Sequence, residues 1–253
     1  MNTSSTSTVS GGFLIALLLF PATVVWGYRP FVSTDAAVAD RNVFEIELGY
    51  FNWQREMRQD MFTVPSLVVN YGIFRNLELV GEFSVEEPPH DRVRLVDPAL
   101  SLKAVIREGA LQEKTGLSLA VEAAALLPST QTSENRLGFQ GVGILSGQAV
   151  GLTYHVNFGG GVDRAQNKPF IIWGLIAELP VMEKLRVVGE INGESAKAKG
   201  AENSALLGFI WNLPLRNVAV DAGIRRGLSQ AAAHWMFTTG VTFSFSVATH
   251  PHP

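Results

Sequence analysis

The chain has 253 residues, a formal net charge of −3 and no cysteine. The lack of cysteine excludes a disulfide framework and any cysteine-ligated metal site, and the slightly acidic balance argues against a nucleic-acid partner, which needs a basic face. Hydrophobic residues make up 47% of the chain and charged residues only 17%, below the roughly 25% charge of a typical soluble domain. No segment after residue 27 reaches the roughly 18 apolar residues of a membrane helix, so the hydrophobicity must be dispersed along the chain.

An apolar run near the N-terminus predicts an export signal. Residues 11–27 follow a polar start, and Val25 and Gly27 occupy the positions three and one before a cleavage site. The residues before the run include no Lys or Arg, and a membrane-anchor helix is the alternative. Pro21 interrupts the run, which is also short for a span, so cleavage is favoured. The predicted division is a signal peptide over 1–27, a β-barrel over 28–245 and a C-terminal tail over 246–253.

The rest of the chain alternates apolar and polar residues, the period of β-strands. Phe44, Ile46 and Leu48, for example, fall on one face, and Glu45 and Glu47 fall on the other. Three weaker segments, 63–71, 138–146 and 169–179, bring the total to twelve, an even number as in bacterial barrels. The nine clear segments are 44–50, 77–84, 100–106, 117–123, 152–158, 185–192, 204–211, 218–225 and 237–245.

A soluble β-sandwich and a membrane barrel both produce this alternation, and the connections favour the barrel. Connections after even strands are predicted to be short, apart from 107–115, and those after odd strands long, which is the arrangement of outer-membrane barrels. No charged residue falls on the apolar face of a clear strand, and aromatic residues near strand ends suit interfacial girdles. The predicted long connections are 54–60, 86–95, 128–136, 163–168, 193–202 and 226–234.

The sheet is expected to close into a barrel because of the surrounding hydrocarbon. In hydrocarbon, an unpaired backbone N–H or C=O group costs several kcal/mol, so a membrane sheet can have no free edge. We therefore expect the last strand, 237–245, to pair with the first, 44–50. The predicted fold is an all-β, antiparallel, up-and-down transmembrane barrel of about twelve strands.

The polar strand faces would then line the interior of this barrel. One interpretation is a narrow, weakly cation-preferring pore, since charged rings select ions. The other is a packed polar interior in which Glu and Arg residues of neighbouring strands pair. Twelve strands lie between the eight that leave room only for side chains and the sixteen that leave a channel, so both stay open. The candidate pore-lining residues are Glu45, Glu47, Glu78, Glu82, Lys103, Glu122, His155, Glu178, Arg186, Glu190, Asp221 and Arg225.

His155, which shares a strand face with Asn157, is the candidate for a catalytic residue. Hydrolases use a Ser–His pair oriented by a third group. The sequence offers no identifiable serine partner for His155, so no catalytic residue is predicted. No metal ion or cofactor is predicted either.

Short motifs in order along the chain resemble the outer-membrane protein family named for the MetA pathway of phenol degradation. The resemblance covers nearly the whole chain after the leader. It implies an outer-membrane location and a transport role, but not a particular solute. The motifs are Arg29-Pro30-Phe31-Val32, Asp35-Ala36, Phe44-Glu45-Ile46-Glu47-Leu48, Tyr71-Gly72, Leu77-Glu78-Leu79, Asp97-Pro98-Ala99-Leu100-Ser101-Leu102-Lys103, and Asp221-Ala222-Gly223-Ile224-Arg225-Arg226-Gly227-Leu228-Ser229.

The sequence thus predicts a channel or transporter of the Gram-negative outer membrane, exported through the periplasm. Small solutes, with apolar or aromatic compounds as candidates, outer-membrane lipid and the barrel-assembly machinery are the expected partners. A structural barrel with a closed polar interior and an outer-membrane enzyme acting on lipid are the alternatives.

Overall fold

A computed structural model describes residues 29–56, 59–88, 92–131, 133–196, 200–215 and 217–247. The predicted signal peptide and most of the predicted tail lie outside these residues. In the described part, twelve strands form one closed antiparallel barrel in which each strand pairs with its neighbours in sequence. The strands are β1 Val43–Glu56, β2 Gln59–Phe74, β3 Leu77–Glu87, β4 Arg94–Arg107, β5 Ser118–Leu126, β6 Gly138–Ala149, β7 Leu152–Val162, β8 Pro169–Met182, β9 Leu185–Ala196, β10 Gly200–Asn212, β11 Val218–Gly227 and β12 Trp235–Ser246.

Pairing of the last strand with the first closes the barrel, which confirms the predicted fold. Phe44 lies opposite Phe245, and their rings stack at 5.6 Å between centroids. On the other side, Phe44 lies opposite Tyr71 of β2, with 4.5 Å between the ring centroids. Every strand therefore has two hydrogen-bonded neighbours, and the sheet has no free edge.

The two faces of the barrel differ in the way that the alternation predicts. On β4, Leu100 and Leu102 point outward and are about half exposed, whereas Ser101 and Lys103 point inward and are buried. The same division holds on β10, where Leu207 is exposed and its neighbour Leu206 is buried. A continuous apolar surface therefore surrounds an interior that mixes polar and apolar side chains.

Bulges interrupt the alternation in β1 and β2, and the one in β2 explains why segment 63–71 alternates weakly. The register of β2 against β3 shifts between Thr63 and Ser66, around Pro65. Proline has no N–H to donate, so it fits a bulge, and the extra residue resets which positions face outward. A second shift, in β1, lies between Gly49 and Phe51. Tyr50 is exposed, as the predicted common face of Phe44 to Tyr50 requires, and after the bulge the outward face continues with Phe51.

The faces of β6 could not be assigned from sequence because the polarity contrast is missing there. Val142 and Ile144 point inward and are buried, while Gly141 and Gly143 occupy the outward positions. Glycine is neither apolar nor polar enough to mark a face. The structure places Ser146, two positions beyond Ile144, on the inward face.

The predicted lengths of two connections are wrong. β1 and β2 are separated by residues 57–58 only, and β9 and β10 by residues 197–199 only, not by 54–60 and 193–202. The strands continue as polar pairs such as Arg55 opposite Asp60 and Glu194 opposite Glu202, where the alternation no longer marks them. The connection 108–117 is long, as predicted, and contains a 3₁₀ helix, Ala110–Gln112. Within the described ranges, no helix is long and apolar enough to span a membrane.

The connection between β7 and β8 is held by the carboxylate of Asp163. Its oxygens accept hydrogen bonds from the backbone N–H groups of Ala165 (2.9 Å), Gln166 (2.6 Å) and Lys168 (3.3 Å). Desolvation alone would raise the pKa of Asp163, but these donors outweigh it and hold the pKa below its usual range.

We expect Asp163→Asn to speed amide hydrogen exchange at Ala165 and Gln166, because a neutral amide accepts weaker hydrogen bonds than a carboxylate does. Since the folded pKa is lowered, the carboxylate's contribution is present above the ordinary aspartate pKa of about 3.9 and disappears as the pH falls through the lowered value. Hydrogen exchange measured across this range checks both points. Equal protection in the variant and the parent at neutral pH would contradict the prediction.

Candidate functional site

Residues 29–42, which precede β1, lie inside the barrel, and we call them the collar. Arg29 contacts β1, β11 and β12, Phe31 packs against β9, β10 and β11, and Ser33 contacts β8 and β9. Further on, Ala36 contacts β5 and β6, and Ala39 contacts β3. The collar thus meets the strands in reverse chain order, from β12 to β2, and follows the inner wall once around.

Wall side chains satisfy the backbone of the collar. Because the collar belongs to no sheet, its N–H groups need partners elsewhere. Three of the five wall residues that accept them are glutamates predicted to line the pore. The bonds run from Arg29 N to Glu47 (3.0 Å), Val32 N and Ser33 N to Glu190 (2.7–3.2 Å), Thr34 N to Asn157 (3.1 Å), Ala36 N to Ser146 (2.9 Å) and Ala39 N to Glu78 (2.6 Å).

A pair of glycines forms the socket for Arg29. Gly49 of β1 and Gly240 of β12 lie directly opposite each other in the ladder. A Cβ atom at either position would lie 2.9 Å from Cζ of Arg29, closer than real Cβ atoms approach. The guanidinium in this socket lies 3.5 Å from the carboxylate of Asp221 and donates a hydrogen bond to Thr238. Both glycines are therefore explained by the space that the arginine needs.

A third glycine, Gly174 of β8, lies against Ser33. A Cβ atom on Gly174 would collide with the serine hydroxyl and lie 2.9 Å from its Cβ. By contrast, a Cβ on Gly81 of β3 would meet nothing within 4 Å. The two glycines differ because Gly174 faces the collar and Gly81 faces outward.

We expect Gly174→Ala to displace the collar locally, because the added methyl group and the Ser33 side chain cannot both occupy the available space. Amide hydrogen exchange at Ser33 and Thr34 should increase in this variant. The matched control is Gly81→Ala, which should leave both amides as protected as in the parent. Equal exchange in all three proteins would show that the collar does not lie against β8.

A buried lysine binds the middle of the collar to β3 and β4. Lys103 is fully buried, and its Nζ lies 3.3 Å from Asp35, 3.6 Å from Glu78 and 3.2 Å from Thr34 Oγ1. Two carboxylates thus share one buried cation. Removing one partner of a buried ion pair costs about 3–5 kcal/mol, because the other is left uncompensated.

A second charged cluster holds the collar at β9 and β11. Glu190, which accepts the N–H groups of Val32 and Ser33, also binds Arg225 at 2.5 Å. Arg225 in turn donates to Asn192 (2.6 Å) and to Ser204 of β10 (2.9 Å). The arginine compensates the charge of Glu190, which is 2% exposed.

The structure corrects the prediction that His155 has no serine partner. Nδ1 of His155 lies 2.8 Å from Ser146 Oγ, and Nε2 lies 2.9 Å from Glu178. A carboxylate can only accept, so in the neutral imidazole Nε2–H donates to Glu178 and the Ser146 hydroxyl donates to Nδ1. Arg186 binds the other oxygen of Glu178 at 3.0 Å. Sequence missed Ser146 because the faces of β6 were ambiguous.

This Ser–His–Glu arrangement supports the collar, and its geometry does not favour catalysis. A nucleophilic hydroxyl must reach its substrate. Ser146 and His155 have no exposed surface, and Ser146 Oγ already accepts the N–H of Ala36. The imidazole is also reversed relative to serine hydrolases, in which Nδ1 faces the acid and Nε2 faces the serine.

The long connection between β4 and β5 also serves the collar. Gln112, in its 3₁₀ helix, donates a hydrogen bond to the carbonyl oxygen of Ala36 (2.8 Å). Leu111 packs against the apolar cluster that contains Ala36, Ala120 and Val142. This contact gives a physical reason for the one connection after an even strand that breaks the short-turn pattern.

All twelve candidate pore-lining residues lie on the inward face of the barrel, but most of them contact the collar or each other. Arg225, for example, binds Glu190, whereas Glu122 accepts a hydrogen bond from Ser101 at 2.7 Å. The residues are distributed as follows: Glu47, Glu78, Lys103, His155, Glu178, Glu190, Asp221 and Arg225 are buried, Glu45, Glu122 and Arg186 are half-buried, and Glu82 is exposed.

The inner side of the collar is apolar. Val32 is 68% exposed although its backbone N–H is bound to Glu190. Ala37 and Val38 are half-buried. Since Arg29 and Asp35 turn toward the wall, Val32 presents hydrocarbon on the inner side of the collar, and we call the space beside it the eyelet.

Comparison with known proteins defines the fold but no family. No protein-family model and no curated protein matches the sequence. Among solved structures, the chain is similar to the NanC porin, with a TM-score of 0.58, 8% identity, and coverage of 79% of this chain and 98% of the porin. It is also similar to an outer-membrane channel from Pseudomonas putida F1, with a TM-score of 0.60, 8% identity, and coverage of 83% and 97%. These likenesses support the barrel fold, and the MetA resemblance stays a prediction.

Proposed function

We propose that the protein is an outer-membrane channel for small, uncharged solutes, which pass through the eyelet of the collar. The observation that carries this proposal is the exposed Val32 side chain on a collar segment whose charged groups, Arg29 and Asp35, bind the wall. The barrel folds of the two channels with which it compares are consistent with it.

The position of the charges favours uncharged solutes over ions. An ion would need charged or polar groups along its path to replace its hydration shell. At the collar, Glu47, Glu78 and Glu190 are almost completely buried, and they are engaged by collar N–H groups. A narrow apolar opening disfavours water and ions and admits small apolar or aromatic compounds more readily.

The strength of the collar's attachment favours a permanent constriction over a removable plug. Releasing the collar would leave Glu190, Glu78 and Lys103 without the partners that residues 29–39 supply. Each unsatisfied buried polar group costs about 1–3 kcal/mol, and more if it is charged. Solutes would therefore pass with the collar in place.

We expect Val32→Asp to raise ion conductance severalfold in planar bilayers, because a carboxylate would hydrate the eyelet and remove its barrier to ions. Uptake of a small aromatic solute into liposomes should fall in the same variant. The matched control is Val150→Asp in the turn between β6 and β7, where the valine is fully exposed and away from the interior. Identical conductance in all three proteins would contradict the proposal that the eyelet is the conduction path.

Contact between the outward face of the barrel and lipid leads to a separate prediction. Leu207 points outward from the middle of β10 and is 63% exposed. Leu207→Arg should cost about 2–4 kcal/mol of folding free energy in lipid vesicles, the cost of a basic side chain near the bilayer midplane. Leu215→Arg, in the connection after β10, is the control and should cost little. If both variants are equally stable in urea titrations, the outward face does not contact lipid.

A further inference from the structure

Two outward-pointing arginines flank a tryptophan at one end of the barrel. Trp235, the first residue of β12, lies opposite Arg55 of β1 on one side and Arg226 of β11 on the other. The Arg226 guanidinium lies 4.7 Å from the centre of the indole ring and donates to the carbonyl oxygen of His234. All three side chains are exposed, with Trp235 at 42%.

The site lies at the boundary of the apolar outer surface. Below it on the same three strands, most outward positions are apolar, among them Ile224, Phe237 and Phe51. Phe51 contacts both Phe237 and Phe62 edge-to-face, at 6.2 and 5.9 Å between centroids. Basic side chains directly above an aromatic band lie where lipid headgroups begin.

The arginines mark this end of the barrel. On the described strands, Arg55 and Arg226 are the basic residues that point outward at the end where β1 finishes and β12 begins. Asp60 of β2 lies 3.5 Å from Nε of Arg55 and offsets part of its charge. The charge left over is positive, which suits an anionic headgroup.

Orientation decides which lipid leaflet this end meets. Four of the six connections at this end, 88–93, 127–137, 163–168 and 228–234, have six or more residues, whereas one of the five at the opposite end, 108–117, is that long. Outer-membrane barrels place the longer loops outside the cell. This step rests on the proposed outer-membrane location, and it puts Arg55, Arg226 and Trp235 at the outer leaflet.

We propose that Arg55, Trp235 and Arg226 bind the phosphorylated sugar headgroup of the outer-leaflet glycolipid, lipid A. Arginine presents planar, forked donors that match the oxygens of a phosphate group. The indole ring holds the Arg226 guanidinium in place, and the phenylalanine surface below receives the acyl chains. A free phosphate ion would gain only the first of these contacts.

The test is lipid binding to the refolded full-length barrel in detergent, followed by native mass spectrometry. Bisphosphorylated lipid A should bind, and Arg55→Gln/Arg226→Gln should weaken its affinity roughly 30-fold, since the two charge contributions multiply. The matched control is Arg75→Gln/Arg107→Gln at the opposite end of the barrel, where Arg75 is highly exposed. This control should bind lipid A like the parent.

Three further arms identify the ligand and guard against misfolding. Dephosphorylated lipid A should bind as weakly to the parent as lipid A binds to the glutamine variant. Inorganic phosphate should not displace lipid A, and displacement would make the site a phosphate site and overturn the lipid proposal. Arg226→Gln with Arg55 intact should weaken the affinity only about fivefold, the contribution of one charge, if the variants are folded.

Equal lipid A affinity in the parent and the glutamine variant would overturn the proposal, and so would an equal loss in the control variant. Conduction is not part of this measurement, so its failure leaves the channel proposal standing. Conversely, a barrel that binds lipid A without conducting would refute the channel and keep the lipid site.

Discussion

The structure depends on how the backbone of an unpaired segment is satisfied inside a closed barrel. Each of the twelve strands is paired on both sides, so the collar, apart from a backbone bridge of Arg41 and Asn42 to Gly72, must find partners among side chains. Glu47, Glu78 and Glu190 supply most of them, with Asn157 and Ser146 completing the set. The inward carboxylates thus define the collar's path as much as the space that the glycines leave open.

The buried charges of the interior need an explanation other than stability. Burying ionised groups is expensive, and well-packed apolar residues in their place are often as stable or more so. Two of the acids meet both a cation and a collar N–H: Glu190 does so with Arg225 and Ser33, and Glu78 with Lys103 and Ala39. These ion pairs and hydrogen bonds can form together in one position of the collar and in no neighbouring one. The charges therefore fix the position of the collar along the wall. Val32 then forms the exposed inner surface of the constriction.

The barrel fold could be predicted from the sequence because the pattern that specifies it is local. The alternation of Leu100, Ser101, Leu102 and Lys103 reports which face each side chain takes, and an even number of strands with an apolar exterior must close. The strand ends were harder to predict, because the ladder continues through Arg55 and other polar residues after the apolar signal stops. Bulges also erase the signal, since they shift the period by one residue.

The candidate site could be predicted only in part. The inward acids are readable from strand parity, but their partners are not, because residues 29–42 have no period and reach the wall through contacts distant in sequence. The available signal was the set of inward glycines at Gly49, Gly174 and Gly240, which a plain polar pore does not require. Ser146 was missed for a related reason, since its strand carries glycines where apolar outward residues would have revealed its parity.

A disulfide between the collar and β8 would show whether solutes pass with the collar in place, and the chain has no other cysteine to compete for it. In Ser33→Cys/Gly174→Cys, the two Cβ atoms would start 2.9 Å apart, within a shift of about 1 Å of disulfide geometry. We expect the disulfide to form readily in the folded protein, and uptake of a small aromatic solute into liposomes to be the same before and after reduction. Absence of the disulfide, or uptake that occurs only after reduction, would contradict a collar that stays on the wall while solutes pass.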